Sequence, residues 1–374
     1  MTKPSQKPQY PAHIASLKPY IPGLPIADLA RRLEMVPERI AKLASNENPL
    51  GPSPQARAAM AATKIDLSQY PDNDCTDLVQ ALAEFHGVPP QWIVVGAGSE
   101  SVIGNAVATN LSVGRKTAYS QYSFQAYVNA AQRVGAEHIV VPSPEFTVDL
   151  EGLKRTLSQE PSLIYIANPG NPTGTSLAPA ALGEFLASIP AHIVVLLDEA
   201  YFDFLPAHLQ PDSIGWVKTY PNLLITRTFS KAYGLAGLRV GYGIAQPALA
   251  DMLRRVRPPF TVSQPAQVAA TAALQDREFL ACTLENNARG RRMLVEGLRA
   301  QGLRYLDGHT NFVLVEVGDG AAWTRAMEQH GLIVRPVNSY GLAQWVRVSI
   351  GKPEEMQRLL DALETATAIT TASA

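Results

Sequence analysis

Between about residues 76 and 256, short continuous apolar runs alternate with longer stretches whose apolar residues recur every three or four positions. WIVVGAG, KTAYS, HIVVPS, LIYIAN, IVVLLD, NLLITRTF and RVGYGIA have the length and character of buried strands. DLVQALAEFHG and PAALGEFLASI have helical spacing and separate several of them. Together these predict an α/β architecture: a mostly parallel sheet lying between helices. Past Pro258-Pro259 the pattern changes. A long helical region, 264–300, leads into the strand NFVLVEV, the helix AAWTRAMEQHG and the strands LIVRPV and WVRVSIG, the α+β pattern of a smaller domain. The proline-rich first two dozen residues read as an extended arm, and PIADLARRLEM then has helical spacing. The Ala/Thr-rich tail, 365–374, is expected to fray. The expected organisation is an arm and helix over 1–45, a large domain over 46–256 and a small domain over 257–374.

Composition narrows the function without naming it. The chain has 374 residues, enough for a large α/β unit with a substantial core. Its net charge of −1 gives no electrostatic footprint for nucleic acid or an anionic membrane, so any anion site is local. Cys75 and Cys282 stand far apart, which excludes a disulfide framework and a zinc site. MTKPSQKPQYPAH lacks the apolar core of a signal peptide, and HIVVLL is far shorter than a membrane span. A cytoplasmic enzyme with small-molecule partners is the default expectation.

Candidate chemistry gathers at four strand ends. In WIVVGAGSES, a strand runs through Gly96-Ala97-Gly98 into Ser99 and Glu100 at a helix start, where free N–H groups and the helix dipole seat a phosphate. An ordinary turn looks the same. In YIANPGNPTGT, Asn171 sits in a turn stiffened by two Asn-Pro pairs, which also invite cis peptide bonds. In IVVLLDEAYFDF, a strand ends on Asp198, with Tyr201 following. A buried carboxylate needs a cation, for which a protonated pyridine nitrogen serves. In TRTFSKAYGLAGLRVGYG, a strand gives way to Ser230 and Lys231, with Arg239 beyond. By itself that stretch also fits a solvated surface lysine. A lysine for covalent attachment, an aspartate for a pyridinium and a phosphate seat together describe a pyridoxal phosphate site.

The ordered set SNENP, GAGSE, NPTG, DEAY and SKAYGLAGLRVGYG resembles the fold-type I aminotransferases across nearly the whole chain. More narrowly, PYIPGLPIADLA, KLASNENPLGPSP, GLIVRPVNSYGL and VRVSIG are similar to the histidinol-phosphate aminotransferase family. The resemblance implies pyridoxal 5'-phosphate as cofactor and a ping-pong exchange of an amino group between an amino donor and a 2-oxo acid. It makes Lys231 the residue that bonds the cofactor aldehyde and shuttles the proton, and Asp198 the partner of the ring nitrogen. Asn171 and Tyr201 would bind the ring hydroxyl, and Tyr122 would stack on the ring. Ser99, Glu100, Ser230 and Arg239 would hold the cofactor phosphate, with Tyr70 reaching it from the partner of a homodimer with shared sites. Arg347, Arg335 and Asn46 would bind substrate, with Tyr20 again from across the dimer.

The sequence departs from the family pattern in two places. GAGSES stands where GNGSDE or GNGSNE is usual, so Ala97 and Ser101 replace an amide and a carboxylate. NPGNPTG stands for NPNNPTG, placing Gly170 in that loop. Neither touches the lysine or the aspartate. Histidinol phosphate with 2-oxoglutarate is the substrate pair the resemblance favours. An aromatic amino acid such as phenylalanine is the alternative, and a decarboxylase on the same fold is a third. The sensor half of a transcriptional regulator is excluded by the short arm before SNENP.

Overall fold

The computed structural model describes residues 8–19, 22–66 and 68–371. In chain order its first strands are β1 (Ala41–Lys42), β2 (Ile93–Gly96), β3 (Lys116–Ser120), β4 (Glu137–Val141), β5 (Leu163–Ala167) and β6 (Val194–Asp198). They are followed by β7 (Leu223–Thr228), β8 (Gly241–Ile244), β9 (Tyr305–Leu306), β10 (Phe312–Glu316), β11 (Leu332–Ile333), β12 (Arg335–Val337) and β13 (Leu342–Ser349). Seven form one sheet in the order β2-β8-β7-β6-β5-β3-β4. Strands β7, β6, β5, β3 and β4 run parallel, while β8 is antiparallel to both β7 and β2. The link from β7 to β8 holds no crossover α-helix, so β8 returns in the opposite direction. Strands β2, β5, β6 and β7 therefore open their carboxyl ends on the same edge.

Alternation along each strand sends side chains to two separate cores. Ile164, Ile166, Val195, Leu197, Leu223 and Ile225 face one side, packed with helices Thr76–His86, Pro179–Ser188 and Gln264–Gln275. Leu163, Tyr165, Leu196 and Leu224 face the other, with helices Ser99–Asn110, Gln125–Arg133 and Pro247–Val256. Burial on both faces explains why these strands read as unbroken apolar runs. Both Asn168-Pro169 and Asn171-Pro172 are cis.

The smaller sheet has the order β12-β13-β10-β9, and helix Arg277–Ala300 packs with the C-terminal helix Pro353–Thr371. Packing groups the chain differently from the sequence boundaries. Helix Gln264–Gln275 lies in the core of the large sheet although it follows residue 256, because its alanines let it sit against helices Pro54–Ala62 and Thr76–His86. At the other end of the chain, β1 pairs in parallel with β11, and Ala41 and Leu43 fill the small domain's core. The arm is not wholly extended, since Ala12–Ala15 makes one helical turn. The tail expected to fray continues the last helix to Thr371.

Candidate functional site

The four loops at the sheet edge, the SNENP segment and strands β12 and β13 enclose one cavity of about 810 Å³. Its wall holds Ser99, Glu100, Asn171, Asp198, Tyr201, Ser230, Lys231 and Arg239 from the large domain. Asn46, Arg335 and Arg347 complete it. A volume in this range suits a small organic ligand with its substrate.

Strand β7 ends at Thr228, and Lys231 stands three residues on, half-buried, its Nζ donating to the Ser45 carbonyl at 3.3 Å. Burial, and then the Arg347 and Arg239 guanidiniums, lower its ammonium to about 8 against the opposing pull of Glu47 and Asp198. A lysine tuned this way carries a useful fraction of nucleophilic free amine near neutrality.

Asp198 is the last residue of β6, buried, and directly opposite Ala167 and Thr226 on its neighbouring strands. Burial raises its pKa, opposed by hydrogen bonds from the Tyr165 hydroxyl, the Ala200 N–H and the Thr226 hydroxyl and by the charge of Lys231. Those bonds measure 2.8, 3.1 and 3.3 Å. A carboxylate so placed is made to meet a cation in the cavity.

At the start of helix Ser99–Asn110 the backbone and an arginine approach closely. Gly98, at φ +77°, caps helix Ser99–Asn110, and a Cβ there would lie 2.7 Å from Arg239 Nη2. A Cβ at Gly241 would lie 2.4 Å from the Ser99 nitrogen. Arg239 Nη1 stands 3.5 Å from Ser230 Oγ. First-turn N–H groups, a hydroxyl and a guanidinium converge where an anion would sit. Ala97 and Ser101 are not part of the cavity wall.

The side of the cavity formed by β12 and β13 carries two arginines. Arg335 and Arg347 are register partners across β12 and β13, so their side chains leave the same face of the small sheet. Arg347 is buried and donates to Asn171 Oδ1 at 2.6 Å and to the Ala44 carbonyl at 2.7 Å. Asn46, at φ +54°, donates to the Tyr201 hydroxyl at 2.8 Å, while Ser349 Oγ donates to Asn46 Oδ1 at 2.8 Å. Burial pushes the Tyr201 phenol up to about 12, so it stays protonated.

One expected residue is elsewhere. Tyr122 stacks on Phe146, centroids 5.4 Å apart, and lines a small adjoining cavity. The aromatic in the main cavity's wall is Phe124, two residues on. Both lie in the same turn, and spacing alone does not say which one faces inward. Tyr70 is 81% exposed, stacked on Phe260, and is not part of the cavity wall. Tyr20 lies outside the described residues. Sequence reasoning missed Phe124, the Ser45 carbonyl, Glu47 and Tyr165. Of these, only Glu47 carried a signal, as a charge inside SNENP. Among the described residues no helix is long and apolar enough to cross a membrane.

Residues 38–363 match the model of the family described as aminotransferase class I and II. The chain is 48% identical over 368 residues to histidinol-phosphate aminotransferase 2 of Ralstonia nicotianae, covering 97% of this chain and 98% of that one. It is 46% identical over 360 residues to histidinol-phosphate aminotransferase 1 of Cupriavidus pinatubonensis, with 95% and 96% covered. Among solved structures, histidinol-phosphate aminotransferase from Sinorhizobium meliloti in complex with pyridoxal-5'-phosphate superposes with a TM-score of 0.88 at 30% identity, covering 98% of this chain and 99% of that one. A mutant aspartate aminotransferase of Thermus thermophilus, 20% identical, shares the fold with a TM-score of 0.82 over 96% and 100% of the two chains.

Proposed function

The chain belongs to the class I and II aminotransferases, and from that premise we propose that it is a pyridoxal-phosphate-dependent transaminase acting on histidinol phosphate. It exchanges an amino group between histidinol phosphate and 2-oxoglutarate, giving imidazole acetol phosphate and glutamate, a step of histidine biosynthesis. The observation that carries this reading is the meeting, in one cavity, of Lys231, Asp198, a glycine-lined anion seat and the Arg335–Arg347 pair.

The residues present fit the cofactor. The seat at Gly98, Ser99, Ser230 and Arg239 is proposed to hold its phosphate, with Glu100 in the same first helical turn. Asp198 would hold the protonated ring nitrogen, and Asn171 and Tyr201 would hold the ring hydroxyl. Phe124, rather than Tyr122, is placed to cover the ring. When bound, pyridoxal phosphate supplies an aldehyde carbon that carries the amino group and a ring that accepts the electron pair of the broken C–H bond. Lys231 supplies the covalent anchor, then takes the proton from the substrate carbon and returns it at the aldehyde carbon. Its lowered pKa suits both roles, because a proton held too tightly could not be handed on.

Two substrates must present the same carbon to Lys231, one carrying a phosphate and the other a carboxylate. Two guanidiniums leaving the same face of the small sheet into one cavity offer an anion two cationic partners. Arg347, with Asn171 and Ala44 fixing its plane, is the shared anion partner, while Arg335 adds a second contact to phosphate. The planar fork pairs with either anion in two-point fashion. Asn46 braces Tyr201 from the small domain's side.

The active form is proposed to be a homodimer, with Tyr70 completing the partner's phosphate seat. Its exposure and its absence from this chain's own cavity wall support that reading. The reaction is tested by supplying the cofactor-loaded protein with histidinol phosphate and 2-oxoglutarate. One glutamate per histidinol phosphate consumed is expected; carbon dioxide release without need for an oxo acid would move the chain to the decarboxylases.

A further inference from the structure

Asp198 does not stand alone at the end of β6. Alternation places Leu196 and Asp198 on the same face of the sheet as Tyr165 of β5, whose register partner is Leu196. Asp198 is thus the diagonal neighbour of Tyr165, within reach of a long aromatic side chain. The Tyr165 hydroxyl spans that gap and donates to Asp198 Oδ2 at 2.8 Å. Tyr165 is fully buried, and its ring is clamped flat on Tyr127 of helix Gln125–Arg133, centroids 4.0 Å apart and planes 9° apart. Tyr127 is held in turn by a hydrogen bond with Thr117. The phenol is therefore fixed behind the carboxylate and outside the main cavity's wall.

We propose that Tyr165 is a positioning residue that acts through Asp198, fixing one carboxylate oxygen and favouring its ionised form so that the carboxylate is charged when the pyridine ring arrives. The inference deepens the pyridoxal phosphate reading above and rests on it. A hydrogen bond to the charged form of an acid favours that form, and Asp198 needs the help because burial pushes the other way. Tyr165 is itself held far above the ordinary phenol range by burial and the Asp198 charge, so it remains a donor throughout the working range. The other groups bearing on the pair are Lys231 beyond β7, Tyr201 beyond β6, Tyr127 on the packed helix and Tyr340 from the small domain. Of these only Lys231 is cationic, and in the proposed function it is consumed by attachment to the cofactor. Thr226 and the Ala200 N–H supply the remaining bonds, both to Oδ1.

The test is the pH dependence of cofactor affinity, followed by titrating pyridoxal phosphate into the cofactor-free protein and reading protein fluorescence. The variants are compared in the Lys231→Ala background, which removes the lysine's own titration, so that affinity falls on the acid side as Asp198 takes up a proton. Tyr165→Phe is expected to move the midpoint of that fall to higher pH by about one unit, the scale set by losing one hydrogen bond to a buried carboxylate. Tyr127→Phe, which disturbs the packing but leaves the donor, should leave the midpoint in place. If Tyr165→Phe fails to fold, 3-fluorotyrosine incorporated at position 165 keeps the ring and makes its hydroxyl a stronger donor, and the midpoint should then move to lower pH. A uniform loss of affinity at every pH, or an unmoved midpoint in the donorless or fluorinated variant, would overturn the proposal while leaving the cofactor assignment standing. Failure of the unmodified protein to bind pyridoxal phosphate at any pH would overturn both.

Discussion

Lys231 carries the chemistry of the proposed function, and its environment makes a quantitative statement about pH. With its ammonium lowered to about 8, roughly a tenth of it is neutral at pH 7, against less than a thousandth for an unperturbed lysine. The rate of covalent capture of pyridoxal phosphate by the cofactor-free protein should climb about tenfold per unit below pH 8 and level off above it. Stopped-flow absorbance checks this, and a rate still climbing towards pH 10 would show that the lysine is not depressed. Lys231→Ala should bind the cofactor without the covalent bond and lose essentially all turnover; borohydride labelling with peptide mapping should mark Lys231 alone. At the substrate end, Arg347→Lys replaces a fork anchored on Asn171 and Ala44 with a single ammonium. A loss of about 1.5–3 kcal/mol is expected in both half-reactions, roughly ten- to a hundredfold in catalytic efficiency. Arg335→Ala should slow the histidinol phosphate half more than the glutamate half, as single-turnover spectroscopy of each would show. That Lys231 and Asp198 share one cavity was legible because both stand at or just beyond the carboxyl ends of strands that open on the same edge. Tyr165 was not, because its role depends on a diagonal across two strands far apart in sequence.

At the scale of elements, the site depends on backbone approaching backbone. Gly98→Ala puts a Cβ against the movable end of Arg239 and holds alanine at φ +77° and ψ 165°, a region essentially confined to glycine, costing about 1–3 kcal/mol. Gly241→Ala instead meets the backbone of Ser99, which cannot yield without moving the helix start. Gly241→Ala should therefore lower the melting temperature and the cofactor affinity more than Gly98→Ala does, as calorimetry and cofactor titration would show. The reverse order would mean that the seat is set by the arginine rather than by the helix. The strands of the large sheet could be read from their unbroken apolar runs, since burial on both faces leaves no alternation to disguise them. The direction of β8 was hidden, because GYGI looks the same whether it runs parallel or antiparallel. Helix Gln264–Gln275 was assigned past the domain boundary for a similar reason: alanine spacing reveals a close-packed helix, not which core it packs against.

At the scale of the whole molecule, the N-terminal segment ties the two lobes to the site. Strand β1 belongs to the small domain's core, and a few residues later Asn46 joins Tyr201 of the large domain to Ser349 and Asn311 of the small one. No local sequence pattern announces such a join, because its partners lie hundreds of positions apart. The proposed dimer adds a second level of sharing. Lys231→Ala refolded with Tyr70→Ala should regain roughly a quarter of the unmodified activity, since half of the dimers are mixed and each has one intact site. No recovery despite demonstrated subunit exchange would confine Tyr70 to its own chain. The central claim, amino transfer with a phosphate-bearing donor recognised by the Arg335–Arg347 pair, is tested most directly by comparing histidinol phosphate and phenylalanine as donors to 2-oxoglutarate on one protein preparation. The account predicts a catalytic efficiency at least about tenfold higher for histidinol phosphate, the worth of one charge-assisted contact to the phosphate. Equal or better use of phenylalanine, unaffected by Arg335→Ala, would contradict it and make this chain an aromatic transaminase.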